Sequence, residues 1–169
     1  MQYTISILVE NQPGVLYKVS GLFARRGFNI DSLAVGETED HTISRITIVV
    51  NGDEHIVEQV EKQLNKVIQV IKVRVLQPGS FYSCYLSLIK VSSNAQQRAD
   101  IMKIAELMNA QIVDVATDCL TLQFTDSVER TETLISLLKP YGIKEIVRAG
   151  ALAIEKGVRR GPPQGELIV

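Results

Sequence analysis

Residues 8–36 read LVENQPGVLYKVSGLFARRGFNIDSLAVG, and the loop Glu10-Asn11-Gln12-Pro13-Gly14 inside them decides the fold. Ahead of the loop, Tyr3, Ile5, Ile7 and Val9 alternate with Thr4 and Ser6, the period-two pattern of a half-buried strand. Behind it, Val15, Leu16, Val19, Leu22 and Phe23 recur at helical spacing until Gly27, which suits the left-handed residue that ends a helix. A strand therefore passes through a Pro-Gly turn directly into a helix. Gly14 lets a ligand approach the backbone, and the first helical turn offers N–H groups without intrahelical partners. A carboxylate placed there gains about 0.3–1 kcal/mol from the helix dipole at an exposed site. On geometry alone the plainer reading is that Pro13-Gly14 only turns the chain.

Outward from this stretch, Phe28, Ile30, Leu33 and Val35 form a second strand with a phase slip at Asp31-Ser32, the mark of a bulge. Glu37 to Thr42 is a charged hairpin, and Ile43 to Val50 is a third strand. Asn51-Gly52-Asp53 breaks it, with Asp53 placed to cap the helix whose apolar face is Val57, Val60 and Leu64. Val67 to Leu76 closes the unit as a fourth strand. The order folds most simply as a ferredoxin-like sheet, with strands one and three central, two and four at the edges, and both helices on one face. The helix-free face and strand two are left open, which implies partners.

Gln77-Pro78-Gly79-Ser80 punctuates the chain. Beyond it the same grammar returns without obvious residue identity: a strand from Tyr82 to Val91, a helix through Ile101, Ala105 and Met108, a hairpin of Gln111 to Ala116 and Leu120 to Phe124 around Thr117-Asp118, a helix through Leu134 and Leu138 to Pro140-Tyr141-Gly142, and a closing strand from Ile143 to Ala149. Ser93-Asn94-Ala95-Gln96 and Asp126-Ser127-Val128-Glu129 have the spacing of capping boxes. The chain thus reads as α+β, two tandem ferredoxin-like βαββαβ domains over residues 1–77 and 81–155, with 156–169 a disordered tail rich in Arg, Gly and Pro.

The residues that carry function resemble a known family. Glu10 through Leu16, Gly21-Leu22-Phe23, Arg26-Gly27-Phe28-Asn29-Ile30 and Ser32-Leu33 are similar to the opening of an ACT domain, in particular that of the small regulatory subunit of acetolactate (acetohydroxyacid) synthase. Ser44-Arg45-Ile46-Thr47, Gly52-Asp53, Gln59 to Leu64 and Arg148-Ala149-Gly150 extend the resemblance over essentially the whole chain. It implies a homodimer through the ACT domains and a branched-chain amino acid, chiefly valine, as feedback ligand. The carboxylate would meet the amides around Gly14, Val15 and Leu16, and Asn11 would offer its amide. Ile30 and Val35 would line the apolar part, together with Val15 and Leu33. Asn29 is either a second polar contact from the other subunit or simply the asparagine of the turn after Gly27. The resemblance also implies a large catalytic subunit as partner, which carries the thiamine diphosphate, magnesium and FAD, so no cofactor is expected on this chain. Where many ACT domains place an aspartate before the turn, this chain has Asn11; Tyr17 is bulky enough to fill part of the pocket, and Gly36 leaves room.

Other classes fit less well. The formal net charge is −1, with 8 basic and 9 acidic residues up to Leu76 and 10 of each beyond, so neither half attracts a polyanion. The third strand presents Arg45, Thr47 and Val49 on one face and Ile46, Ile48 and Val50 on the other, with no aromatic to stack a base. Nucleic acid is therefore excluded as a partner. His41 and His55 lack metal-ligating neighbours, and no phosphate loop or nucleophile elbow occurs, so a catalytic site is not expected. Cys84 and Cys119 sit in apolar runs, as core residues of a reducing compartment do, and no apolar run is long enough to span a membrane. The reading is cytoplasmic. The alternative is an ACT-type regulator of another biosynthetic enzyme or of transcription, although no helix-turn-helix is evident.

Overall fold

Alternating burial along the first strand sets the architecture. The computed structural model of the chain describes residues 1–157; the tail from 158 lies outside the described residues. Strand β1 (Gln2–Glu10) buries Ile5, Ile7 and Val9, and these pair with Ile48, Ile46 and Ser44 of β3 (Ile43–Asn51). Helices α1 (Val15–Arg25) and α2 (Glu54–Leu64) cover that face with Val15, Val19, Phe23, Val57, Val60 and Leu64. Strands β2 (Ile30–Glu37) and β4 (Val70–Leu76) complete a sheet of order β2-β3-β1-β4, with β2 and β4 at its edges. The bulge falls where the apolar phase slips, between Ile30 and Ser32.

Helix α1 ends at Gly27 for a backbone reason. Gly27 takes φ 73°, its N–H donates to the Ala24 carbonyl at 3.1 Å, and the Phe28 N–H donates to the Phe23 carbonyl at 3.0 Å. This is a Schellman ending, and its usual apolar contact is made by Phe23 and Phe28, edge-on at 6.3 Å. In the second half, Asn109 takes the same role at φ 58°, with Ala110 N–H donating to the Ala105 carbonyl at 2.8 Å.

That second half has β5 (Phe81–Ser92), α3 (Arg98–Met108), β6 (Gln111–Val115), β7 (Cys119–Asp126), α4 (Val128–Leu138) and β8 (Ile143–Arg148). The sheet order β6-β7-β5-β8 repeats that of the first, around a separate core of Ile89, Val91, Ile101, Leu120, Leu122, Phe124 and Leu134. In both places the side-chain bonds lie one residue later than the spacing predicts, and neither forms a full capping box at its helix, since α3 starts after Gln97 without a side-chain cap. Asn94 and Gln97 bond reciprocally, the Gln97 N–H donating to Asn94 Oδ1 at 2.8 Å and the Asn94 N–H to Gln97 Oε1 at 3.4 Å. Ser127 caps α4 by accepting from the Arg130 N–H at 3.3 Å, while Asp126 pairs with the Arg130 guanidinium at 2.7 Å.

Two further features differ from the sequence reading. A ninth strand, β9 (Leu152–Glu155), follows the closing strand and pairs with Phe81–Cys84, so that β5 begins in a two-stranded ribbon before entering its sheet. The helix-free face of the first sheet is also not wholly open. Ser6, Thr47, Val49 and Leu76 are buried there, and Ala151 and Ala153, small enough to lie close, are buried on the incoming segment. The Ala151 N–H donates to Ser32 Oγ at 2.7 Å, and Arg74 pairs with Glu155. A Cβ on Gly150 would sit 2.2 Å from the Leu33 carbonyl oxygen, so the two backbones approach more closely than any side chain allows.

Candidate functional site

The loop between β1 and α1 is fastened to the β2–β3 hairpin. The Asn11 N–H donates to the Thr42 carbonyl at 2.7 Å, and Asn11 Nδ2 donates to Glu37 Oε1 at 3.1 Å and to the His41 carbonyl at 2.9 Å. The other Glu37 oxygen meets His41 Nδ1 at 2.9 Å. The amide hydrogens of Asn11 are thus spent on the hairpin, and its Oδ1 is the group left for a ligand. The acidic hairpin, legible in the sequence only as a solvated turn, is what positions the loop. Within it Asp40 accepts from the Thr42 hydroxyl and N–H, which hold its carboxyl below the ordinary carboxylate value.

Gly14 caps α1 in the left-handed conformation, φ 84°, and nothing lies within 4 Å of where a Cβ would stand. No acidic residue occupies the first turn. Val15 points into the core and its N–H reaches the Gln12 carbonyl at 3.4 Å, while Lys18 N–H returns to the Gly14 carbonyl. Among the described residues no acceptor meets the N–H groups of Leu16 and Tyr17. Two adjacent, outward amides at a helix N-terminus match the two oxygens of a carboxylate.

The remaining predicted residues lie elsewhere. Strand β2 runs parallel to β1, and α1 between them returns antiparallel. Asn29 and Ile30 therefore stand at the opposite end of α1 from Gly14, about 16 Å away along eleven residues, while Val35 comes back to the Gly14 end. Asn29 Nδ2 donates to Asp31 Oδ1 at 3.3 Å, and Asn51 Nδ2 donates to the other Asp31 oxygen at 2.5 Å. Asn29 and Ile30 share a surface hollow with Tyr17 and Gly21. Val35 and Gly36 line a different hollow, between β2 and the β5–β9 ribbon. One chain does not gather the seven residues. Tyr17 is 82% exposed, standing at the edge of the hollow it shares with Asn29 rather than packed into the core. Val35 and Leu16 are 47% and 42% exposed, apolar groups left toward solvent, and Leu16 itself carries one of the free amides. Beyond Glu37 no other strand pairs with the outer edge of β2 among the described residues.

Comparison with known proteins follows the same division of the chain. Residues 5–72 match the family described as the AHAS small subunit-like ACT domain, and residues 85–157 match the small subunit of acetolactate synthase. The chain is 47% identical over 157 residues to the acetolactate synthase small subunit of Mycolicibacterium smegmatis, covering 93% of this chain and 92% of that one. It is 46% identical over 160 residues to a probable acetolactate synthase small subunit of Archaeoglobus fulgidus, covering 95% and 100%. The crystal structure of the small subunit from Thermotoga maritima superposes with a TM-score of 0.87 at 36% identity, over 93% of this chain and 98% of that one. Tandem ferredoxin-like units with an open-ended Pro-Gly loop in the first define an ACT-domain protein. Within that class, this chain belongs to the acetolactate synthase small-subunit family.

Proposed function

We propose that the chain is the regulatory subunit of an acetolactate synthase and senses a branched-chain amino acid, chiefly valine, at a seat completed by two copies of its first domain. The observation that carries the reading is the pair of unbonded N–H groups on Leu16 and Tyr17 beside the open backbone of Gly14. The unpaired edge of β2 explains how the seat closes. A two-fold axis at the middle of β2 sets a second copy antiparallel to the first. It exchanges the two ends, so Asn29 of one copy arrives beside Gly14 of the other. The exposed Leu16 and Val35 then have an apolar ligand and a second copy to cover them, and burying a valine-sized side chain contributes about 1.5–3 kcal/mol. Asn11 Oδ1 faces the ligand's ammonium in place of a carboxylate.

Regulation requires the ligand to favour one arrangement of the subunits over another, with a coupling of about 1–3 kcal/mol. The arrangement reaches a large catalytic subunit, to which thiamine diphosphate, magnesium and FAD belong, in the cytoplasm. The test is calorimetry of valine with the full-length protein. Gly14→Ala imposes the left-handed strain without charge and keeps binding, whereas Gly14→Asp adds a carboxylate at the anion seat and abolishes it. Valine binding by Gly14→Asp with parental affinity would show that the seat is wrong. Capture from an extract then recovers a thiamine-diphosphate enzyme; recovery of a different enzyme or of a transcription factor contradicts the reading.

A further inference from the structure

The cations on the helix-free face of the first sheet are unexplained by the valine seat. In the register of β1, Ser6 stands between Thr47 and Arg74, and Leu8 between Arg45 and Lys72. Two flanking strands thus bring three cations alongside the neighbouring same-face positions Ser6 and Leu8. The Arg45 guanidinium is fixed over Ser6 by donating from Nη1 to Ser6 Oγ at 2.9 Å, and Ser6 is itself buried. Arg74 is held at the other side by Glu155 of β9. Among the described residues the Lys72 ammonium has neither an ion pair nor a hydrogen bond, and Arg45 has no anionic partner. Three positive charges meet one negative charge around a cavity of about 320 Å³, closed on one side by Ala153, Ile154 and Glu155 of β9.

We infer that this cavity is a binding site for a small carboxylate that lacks an amino group. The uncompensated charge of Arg45 and Lys72 attracts an anion, and the guanidinium offers paired N–H donors matched to a carboxylate. Leu8, Leu76 and Ile154 line the remainder, so a short carbon chain fits where a bare phosphate would leave apolar walls unmet. The same field repels an ammonium group, which excludes the zwitterion proposed for the Gly14 seat. Because Glu155 and Ile154 belong to the second half and the cations to the first, an anion seated here bridges the seam between them. The site stands independently of the valine reading.

The test uses pyruvate, the simplest 2-oxo acid, as probe, with inorganic phosphate and valine as comparators, in calorimetry and NMR titration of the full-length protein. Pyruvate binds; Arg45→Gln and Lys72→Gln each weaken it about tenfold, the loss of one charge-assisted contact. Valine does not displace it, and Gly14→Asp retains it. Absence of pyruvate binding, parental affinity for pyruvate in both Gln variants, displacement by valine, or phosphate binding as tight as that of pyruvate each overturns the assignment. A failed valine seat would show instead as valine binding that Gly14→Asp leaves unchanged, with the pyruvate result unaffected.

Discussion

Gly150 shows what a single residue can decide. Its missing side chain lets the chain lie against the Leu33–Ala34 peptide, where a methyl group would be 2.2 Å from one backbone oxygen and 2.8 Å from a backbone nitrogen. Backbone cannot swing aside as a flexible side chain does, so Gly150→Ala must separate the two halves locally. The expected cost is about 1–3 kcal/mol of stability by denaturant unfolding, with faster amide exchange at Ser32 to Ala34. Gly14 is the opposite case, since nothing crowds it and only its φ of 84° resists substitution. Gly14→Ala therefore costs about 1–2 kcal/mol through conformation alone. Charge acts at this scale too. Lys144 holds the Asp118 carboxyl below its ordinary value of 3.8 by hydrogen bond and charge, and Asp118 in turn raises Lys144 above 10.5. A lowered carboxylate stabilises the fold above 3.8 and loses that contribution as the pH falls through its folded value; the raised lysine loses its contribution only above 10.5. Thermal melts of the parent and Lys144→Gln should differ by a constant amount at neutral pH and converge below pH 3.8. A gap that persisted in acid would exclude the pair as its source.

At the scale of elements, local signals were readable and non-local ones were not. The Pro-Gly entry to α1, its stop at Gly27 and the bulge at Asp31-Ser32 each depend on residues within a turn of one another, and each is found in place. The capping bonds were displaced by one residue because Ser93 and Ser127 compete with neighbouring Asn94 and Asp126, and only the chain's path selects between them. Ser93 is buried and does not cap, whereas Ser127 does. Removing the Ser127 hydroxyl by Ser127→Ala should cost about 1 kcal/mol in unfolding free energy, and Ser93→Ala should cost nothing of that kind, since Ser93 Oγ has no partner to lose. Strand β9 leaves no signal in the sequence because four residues, Leu152 to Glu155, are too few to show a period, and their partner is the first third of β5 about seventy residues earlier. The candidate site divides the same way. The loop around Gly14 is visible in sequence, but the engagement of Asn11 by Glu37 and His41 joins positions 26 and 30 residues apart.

For the whole molecule, the edge strand β2 is where the separate observations meet. Its outer edge is unpaired, its helix-free side is touched by Gly150 and Ala151, and the loop of the anion seat is tied to the hairpin at its end. On the proposed shared seat, a ligand that orders β2 against a second copy would be felt directly in the second half of the same chain, through the close backbone contact at Gly150. The claim beneath this is that each seat is shared, with Gly14 from one copy and Asn29 from the other. The measurement that tests it is complementation by mixing. Gly14→Asp and Asn29→Ala are each made as full-length protein, and each alone fails to bind valine. After subunit exchange, a mixed dimer carries both lesions in one seat and none in the other, so calorimetry of the mixture should recover about a quarter of the parental valine sites. A mixture as inert as its two components would contradict a shared seat.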